Sequence, residues 1–175
     1  MEYDFVVVGG GSAGYAGART AVDLGLRTAV IEGGRDVGGL CILRGCMPSK
    51  TLLESARRFR VLQRAAEFGL GLDHPRFDAA AIIERKKRLV TEFADYRKGQ
   101  LEAGRFDFIR GEVVFLGPNE VSVREFDGTD RIIRSKSFLL ATGSKIAVPL
   151  VPGLAEAGCL TSDDMLDRTE IPDSL

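Results

Sequence analysis

The stretch YDFVVVGGGSAGYAGARTAVDLGLRTAVIE, residues 3–32, decides how the rest of the chain is read. Tyr3 to Val8 is a short β-branched run of the kind that forms a buried strand, and it ends in glycines. A helical stretch from Ala13 to Gly25 follows, and Leu26 to Glu32 forms a second strand. Within this strand, turn, helix and strand stand Gly9-x-Gly11-x-x-Gly14, then Ala18, then the strand-closing Glu32. A glycine triplet by itself reads as no more than a glycine turn. With strand, helix and acid all correctly spaced, it is the dinucleotide-binding fingerprint in its required context. Gly9 permits the tight turn, Gly11 lets the main chain meet a pyrophosphate, and Gly14 lets the helix pack close on the strand, with the helix's first amides facing the negative charge. Glu32 can accept hydrogen bonds from ribose hydroxyls.

A second decisive run, GGLCILRGCMPSK at residues 38–50, carries Cys41 and Cys46. On a regular helix, residues five apart are separated by about 7.5 Å along the axis and point roughly 140° apart, whereas bonded cysteines hold their Cα atoms about 4.4–6.8 Å apart. The backbone must bend between them for the two to meet. Gly45 supplies a bend without a Cβ clash, and Pro48 with SKTLLESARRF begins a helix, proline being suited to a first turn. Cys46 then lies at the helix's positive end, where a thiolate is stabilised and a reactive thiol is expected. Three other readings stand beside this one. A structural staple over so short a loop would add only roughly 2 kcal/mol. Zinc would have to recruit Cys159 and His74, which lie in no finger spacing, and no metal site is expected. The third reading is two unrelated buried thiols.

Composition narrows the function classes. The 175 residues, 45% of them hydrophobic, make one ordinary domain or a large piece of a bigger protein. Glycine accounts for 21 residues, well above the usual level of about 7%, as fits a backbone that approaches a ligand closely at several places. A net charge of −1 gives no broad attraction to nucleic acid or to an anionic membrane surface. The start, MEYDFVVVGGG, has acids in place of a basic leader, and no apolar run approaches a membrane span. Export and membrane insertion are therefore not expected, and a cytoplasmic setting is. In a reducing cytosol a disulfide is usually catalytic.

Further along, helices are predicted from Pro48 to about Phe68 and from Asp78 to about Leu101, joined by the loop GLGLDHPRF. The cluster Glu84-Arg85-Lys86-Lys87-Arg88 reads as a solvated helix face, and His74 as a surface turn residue. From Phe106 the period changes to short strands, FDFIRGEVVFLG, EVSVREF and RIIRSKSFLLATG, with a hairpin signal at Asp127-Gly128. The last strand stops at Ala141-Thr142-Gly143, another point of close backbone approach to a ligand. Thr161 to Asp164 reads as a turn, and the remainder as a polar tail without a strand.

Together, Gly9-x-Gly11-x-x-Gly14, Glu32, GGLCILRGCMPSK and the ATGS of residues 141–144 closely resemble the class I pyridine nucleotide-disulfide oxidoreductases. This is the family of dihydrolipoamide dehydrogenase, glutathione reductase and mercuric reductase. The resemblance implies an α/β, Rossmann-like FAD-binding domain with a mostly parallel sheet and a β-meander excursion near residues 111–135. Residues 1–150 would form this domain, and residues 151–175 a linker toward an NAD(P)-binding domain absent from the chain. FAD is the implied cofactor, with NAD or NADP bound by that absent part. Cys41 would be the thiol that attacks substrate and Cys46 the thiol that lies against the flavin. The implied cofactor contacts are Gly9, Gly11, Ser12, Ala13, Gly14, Glu32, Gly33, Gly39, Lys50, Glu112, Val113, Ala141, Thr142 and Gly143.

The implied reaction moves electrons between NAD(P)H, FAD, the Cys41–Cys46 disulfide and a small or protein-bound disulfide or dithiol. Pro48-Ser49-Lys50 and Ala13-Gly14-Tyr15 look like dihydrolipoamide dehydrogenase, whereas Ser12 and Arg19 fall where glutathione reductase-like enzymes place similar residues; the resemblance implies a dihydrolipoamide dehydrogenase-like parent, expected to be a homodimer. Where the family commonly reads GGTCLNVGC, this chain has Leu40, Leu43 and Arg44, so the surroundings of the cysteines differ. The chain is expected to be the N-terminal portion of a longer enzyme and not to turn over alone. A flavin-binding module that carries or senses electrons without turnover is the alternative, and a purely structural dinucleotide domain with inert cysteines is a third.

Overall fold

A computed structural model describes every residue except Met1, Asp173 and Leu175. The chain runs β1 (Glu2–Val8), α1 (Ser12–Asp23), β2 (Thr28–Glu32), α2 (Gly39–Leu43), α3 (Cys46–Gln63), α4 (Ala79–Glu102), β3 (Asp107–Gly117), β4 (Glu120–Glu125), β5 (Asp130–Leu140) and α5 (Ser162–Met165). Its contacts divide it into two units, Met1–Cys41 with Phe93–Ser144 and Ile42–Glu92 with Lys145–Leu175.

The first unit is the expected α/β fold. β1 pairs in parallel with β2 (Phe5↔Thr28 to Val8↔Ile31) and with β5 (Val6↔Phe138 to Val8↔Leu140), and β2 pairs in parallel with the start of β3 (Ala29↔Asp107 to Glu32↔Arg110). Beyond Arg110, β3 changes partner and runs antiparallel to β4, which in turn runs antiparallel to the start of β5. The hydrogen-bonded order β1-β2-β3-β4-β5 thereby closes on itself. This excursion over residues 111–134 is the meander predicted from the short strand runs. Gly111 sits where β3 changes partner, and a Cβ there would come within 2.5 Å of the Arg124 carbonyl oxygen.

Burial explains why β1 and β2 are continuous apolar runs without alternation. Tyr3, Val6, Ala29 and Ile31 pack with Ile109, Val121, Val123 and Ile133 on the meander side. Val7 and Val30 face the other way and pack with Ala18, Val37, Leu101 and Phe106. Strands covered on both faces need apolar residues at every position.

In the second unit, α3 begins at Cys46, two residues before the predicted start. Proline is tolerated at the third helical position because first-turn amides have no acceptor within the helix, and the Ser49 amide donates to the Gly45 carbonyl. The helix stops at Gln63, and a short 3₁₀ turn over Ala65–Phe68 is closed by Gly69 at φ 73°. What reads as one helix to Phe68 is thus two pieces. Asp78 caps α4 through the Ala81 amide at 3.0 Å. Phe59 and Phe77 meet edge to face at 5.3 Å.

Lys86, expected on a solvated face, is instead buried, its side chain 6% exposed and its ammonium 2.6 Å from Asp167. Arg44 pairs with Asp163 at 3.6 Å. The turn expected at Thr161–Asp164 is the capped start of α5, where the Asp164 carboxylate accepts from both the Thr161 amide and its hydroxyl. The Thr161 side chain in turn accepts from the Asp164 amide, the reciprocal closure that a Thr-x-x-acid spacing gives a helix end.

The Tyr3 phenol lies in the meander-side core and donates to Asp107 Oδ2 at 2.7 Å. Burial, and then the Asp107 hydrogen bond and charge, push its pKa up to about 12. The folded state thus holds this proton more tightly than the unfolded chain, where a tyrosine titrates near 10. The stability this contributes is complete below about pH 10 and is lost as the pH rises toward 12. Absorbance at 295 nm is expected to show one of the three tyrosines ionising late, and Tyr3→Phe is expected to abolish that late phase while costing about 1 kcal/mol in denaturant melts.

Candidate functional site

The carboxyl ends of β1, β2 and β5 converge on one place. β1 ends at Val8, whose carbonyl accepts from the Ala141 amide at 2.8 Å, while the Gly9 amide donates to the Ile31 carbonyl at 2.7 Å. From β1 the chain passes to β2 on one side, and β5 lies on the other, so this is the switch point where open α/β sheets leave a crevice. Gly9 turns there at φ 107°, and a Cβ on it would overlap the Ala141 carbonyl oxygen. A Cβ on Gly14 would overlap the Gly9 carbonyl oxygen, which is how α1 comes so near the end of β1.

Gly11 is the N-cap of α1, with Ser12, Ala13 and Gly14 following in its first turn, and no side chain caps this helix end. Its amides are left facing outward, as an anion site requires. Gly39, at φ 70°, crosses close by, and a Cβ on it would be 2.6 Å from Gly11 Cα. Cys41 follows two residues later on α2, half-buried.

From this turn a groove of about 380 Å³ runs between Val8, Gly9, Ile31, Glu32, Gly33, Gly34, Gly111, Glu112, Val113 and Thr142. The predicted contacts Gly9, Glu32, Gly33, Glu112, Val113 and Thr142 are therefore brought together, with Ala141 and Gly143 flanking Thr142. Glu32 has a task the sequence did not disclose. Its two oxygens accept the Gly10 amide at 2.7 Å and the Gly34 amide at 2.6 Å. Each oxygen keeps a further lone pair for an outside donor. Gly10, Gly34 and Gly111 escape the sequence reading. The tripled glycines at 9–11 and the doubled glycines at 33–34 were the available signal for the first two, and Gly111 had none.

Cys46 and Lys50 belong to the second unit. Cys46 is the first residue of α3, exposed, behind the N-cap Gly45, whose backbone (φ −130°, ψ −108°) breaks the helix after Leu43. Lys50 is exposed one turn further on. His74 stands in an exposed loop at φ 42°. Among the described residues, no helix is long and apolar enough to cross a membrane.

A glycine turn, an open helix N-terminus, an acid at the end of the second strand and a groove beyond it define a dinucleotide-binding α/β domain, and comparison with known proteins gives its family. Residues 3–175 match the pyridine nucleotide-disulphide oxidoreductases, and the chain belongs to that family. It is 34% identical to leghemoglobin reductase of Vigna unguiculata and 35% identical to dihydrolipoyl dehydrogenase of Bacillus subtilis, in each case over 99% of this chain but only 34% and 38% of the relative. Mercuric reductase of Bacillus cereus is 35% identical over 99% of the chain and 27% of its own length. The structure of the HOCl-induced flavoprotein disulfide reductase RclA from Escherichia coli superposes with a TM-score of 0.76 at 27% identity, covering 97% of this chain and 35% of that one. The chain thus spans about a third of the length of the relatives it matches.

Two substitutions test the cradle. Gly14→Ala drives a methyl into a main-chain oxygen and is expected to cost about 4 kcal/mol or more, read as a collapse of the thermal midpoint. Glu32→Gln turns one acceptor into a donor facing a donor and is expected to cost about 1–3 kcal/mol in urea titration.

Proposed function

We propose that this chain is the FAD-binding part of a flavoprotein disulfide oxidoreductase. In this reading it moves electron pairs between NAD(P)H, FAD, a Cys41–Cys46 disulfide and a disulfide or dithiol substrate, most closely in the manner of dihydrolipoamide dehydrogenase. The observation that carries the reading is the glycine cradle: three turns of main chain packed so closely that no Cβ fits at Gly9, Gly14 or Gly39, opening onto an uncapped helix end and a groove. Such a surface matches a pyrophosphate flanked by a nucleoside. In residues 1–150, read as one FAD-binding domain, the Ser12 and Ala13 amides would take the phosphates and Glu32 the ribose. Gly33, Glu112 and Val113 would flank adenine, and Thr142, with Ala141 and Gly143 beside it, would border the rest. Lys50 would lie near the flavin ring.

When bound, FAD supplies the chemistry that links hydride transfer from a nicotinamide to sulfur. The two cysteines supply the rest. Their disulfide takes up two electrons and two protons to become a dithiol. Cys41 as thiolate then attacks one sulfur of a substrate disulfide, expelling the other as a thiol. Cys46 attacks Cys41, re-forming the internal disulfide and releasing the second substrate thiol, so the substrate gains the two electrons the pair loses. Residues 151–175 would be a linker toward the nicotinamide-binding part of a cytoplasmic homodimer.

Reduction of the FAD-loaded chain by dithionite is expected to give a long-wavelength absorbance band that is lost in Cys46→Ser, with flavin retained in both. Superimposable reduced spectra would remove the cysteine pair from the mechanism.

A further inference from the structure

Arg110 stands at the last parallel pair between β2 and β3, directly opposite Glu32. Its Nη2 donates to the Gly34 carbonyl at 2.7 Å and to the Arg35 carbonyl at 2.8 Å. Its guanidinium lies 5.4 Å from the Phe126 ring centroid, and its Nε is buried without a protein partner among the described residues. On the neighbouring strand, Glu32 accepts the amide of the same Gly34. One loop is therefore gripped from both strands by opposite charges: the acid takes its N–H and the base takes its carbonyls. The loop has little else to hold it, since Gly33, Gly34, Arg35 and Asp36 are all exposed.

Gly33 and Gly34 form one wall of the groove, and Glu112 and Val113, just past Arg110 on β3, form another. In a fold of this kind the acid after the second strand meets a ribose, so the space beyond it takes the attached base. Resting on the FAD reading above, we propose that Arg110 is the positioning residue for the adenosine half of the cofactor: it fixes the Gly33–Arg35 wall at the spacing a nucleoside requires without itself touching substrate. A loop of two glycines is costly to order on binding. An arginine fork that orders it beforehand lowers that cost, which is the general source of affinity from preorganisation.

Calorimetric titration of the chain, of Arg110→Ala and of Arg110→Lys with ADP and with FAD tests this. Loss of two charge-assisted hydrogen bonds is expected to weaken ADP and FAD by the same factor, about tenfold or more, in Arg110→Ala. Arg110→Lys, whose ammonium lacks the planar fork, recovers only part. The ligand-free thermal midpoint is expected to fall by several degrees, and the affinities are read well below it, where both proteins are folded and a role confined to folding leaves them unchanged. Unchanged ADP affinity in Arg110→Ala, or a loss seen with FAD alone, overturns the assignment while leaving the FAD reading intact. Failure of the unsubstituted chain to bind either ADP or FAD overturns the FAD reading, and the role of Arg110 with it. Should Arg110→Ala not fold, the same comparison of Arg110→Lys with the unsubstituted chain decides.

Discussion

One carboxylate organises the end of the sheet. Glu32 closes β2 and accepts an amide from each of two turns, Gly10 after β1 and Gly34 after β2 itself. Glycine-rich turns have few side chains to hold them and lose more conformational freedom on ordering than other segments. A charged acceptor makes stronger hydrogen bonds than a neutral one, and a largely buried one is weakly screened. Glu32 is 9% exposed, so these two bonds are made where water competes poorly. One of its bonds holds the turn at Gly10 and the other the groove wall at Gly34, which Arg110 grips from the neighbouring strand.

The sheet was legible because its signals are local. A β-branched run, glycines at fixed spacing, a helix and a second apolar run occur within 30 residues, and each makes the same demand on the fold. The meander was legible for a similar reason, since short strands with an Asp-Gly turn fold back on themselves. Helix ends were less so. Pro48 marks a helix start in sequence, yet the structure begins α3 at Cys46, because the bend at Gly45 sets where the chain can turn and a proline in the first turn forfeits no bond.

Contacts between residues far apart in the chain were not legible. Nothing near Arg110 announces Gly34 and Arg35, 76 and 75 positions away. Lys86 lies within a run of charges that reads as solvent-facing, yet it is buried against an aspartate 81 positions on. Periodicity places a residue on a face of its own helix but does not say what will cover that face. The site followed the same division. Its glycines and Glu32 declared themselves through spacing, whereas the hydrogen bonds that hold its loops depend on strand register.

The Lys86–Asp167 pair has a consequence for the exposed stretch 145–160 that precedes it. An ammonium so thoroughly enclosed is not released cheaply, because parting it from its aspartate strands a charge away from water. The C-terminal segment is in this way moored to α4, with a second line from Asp163 to Arg44. A protease nick within 145–160 would leave Asp163 and Asp167 on one side of the cut and their partners Arg44 and Lys86 on the other, so that both pairs span it.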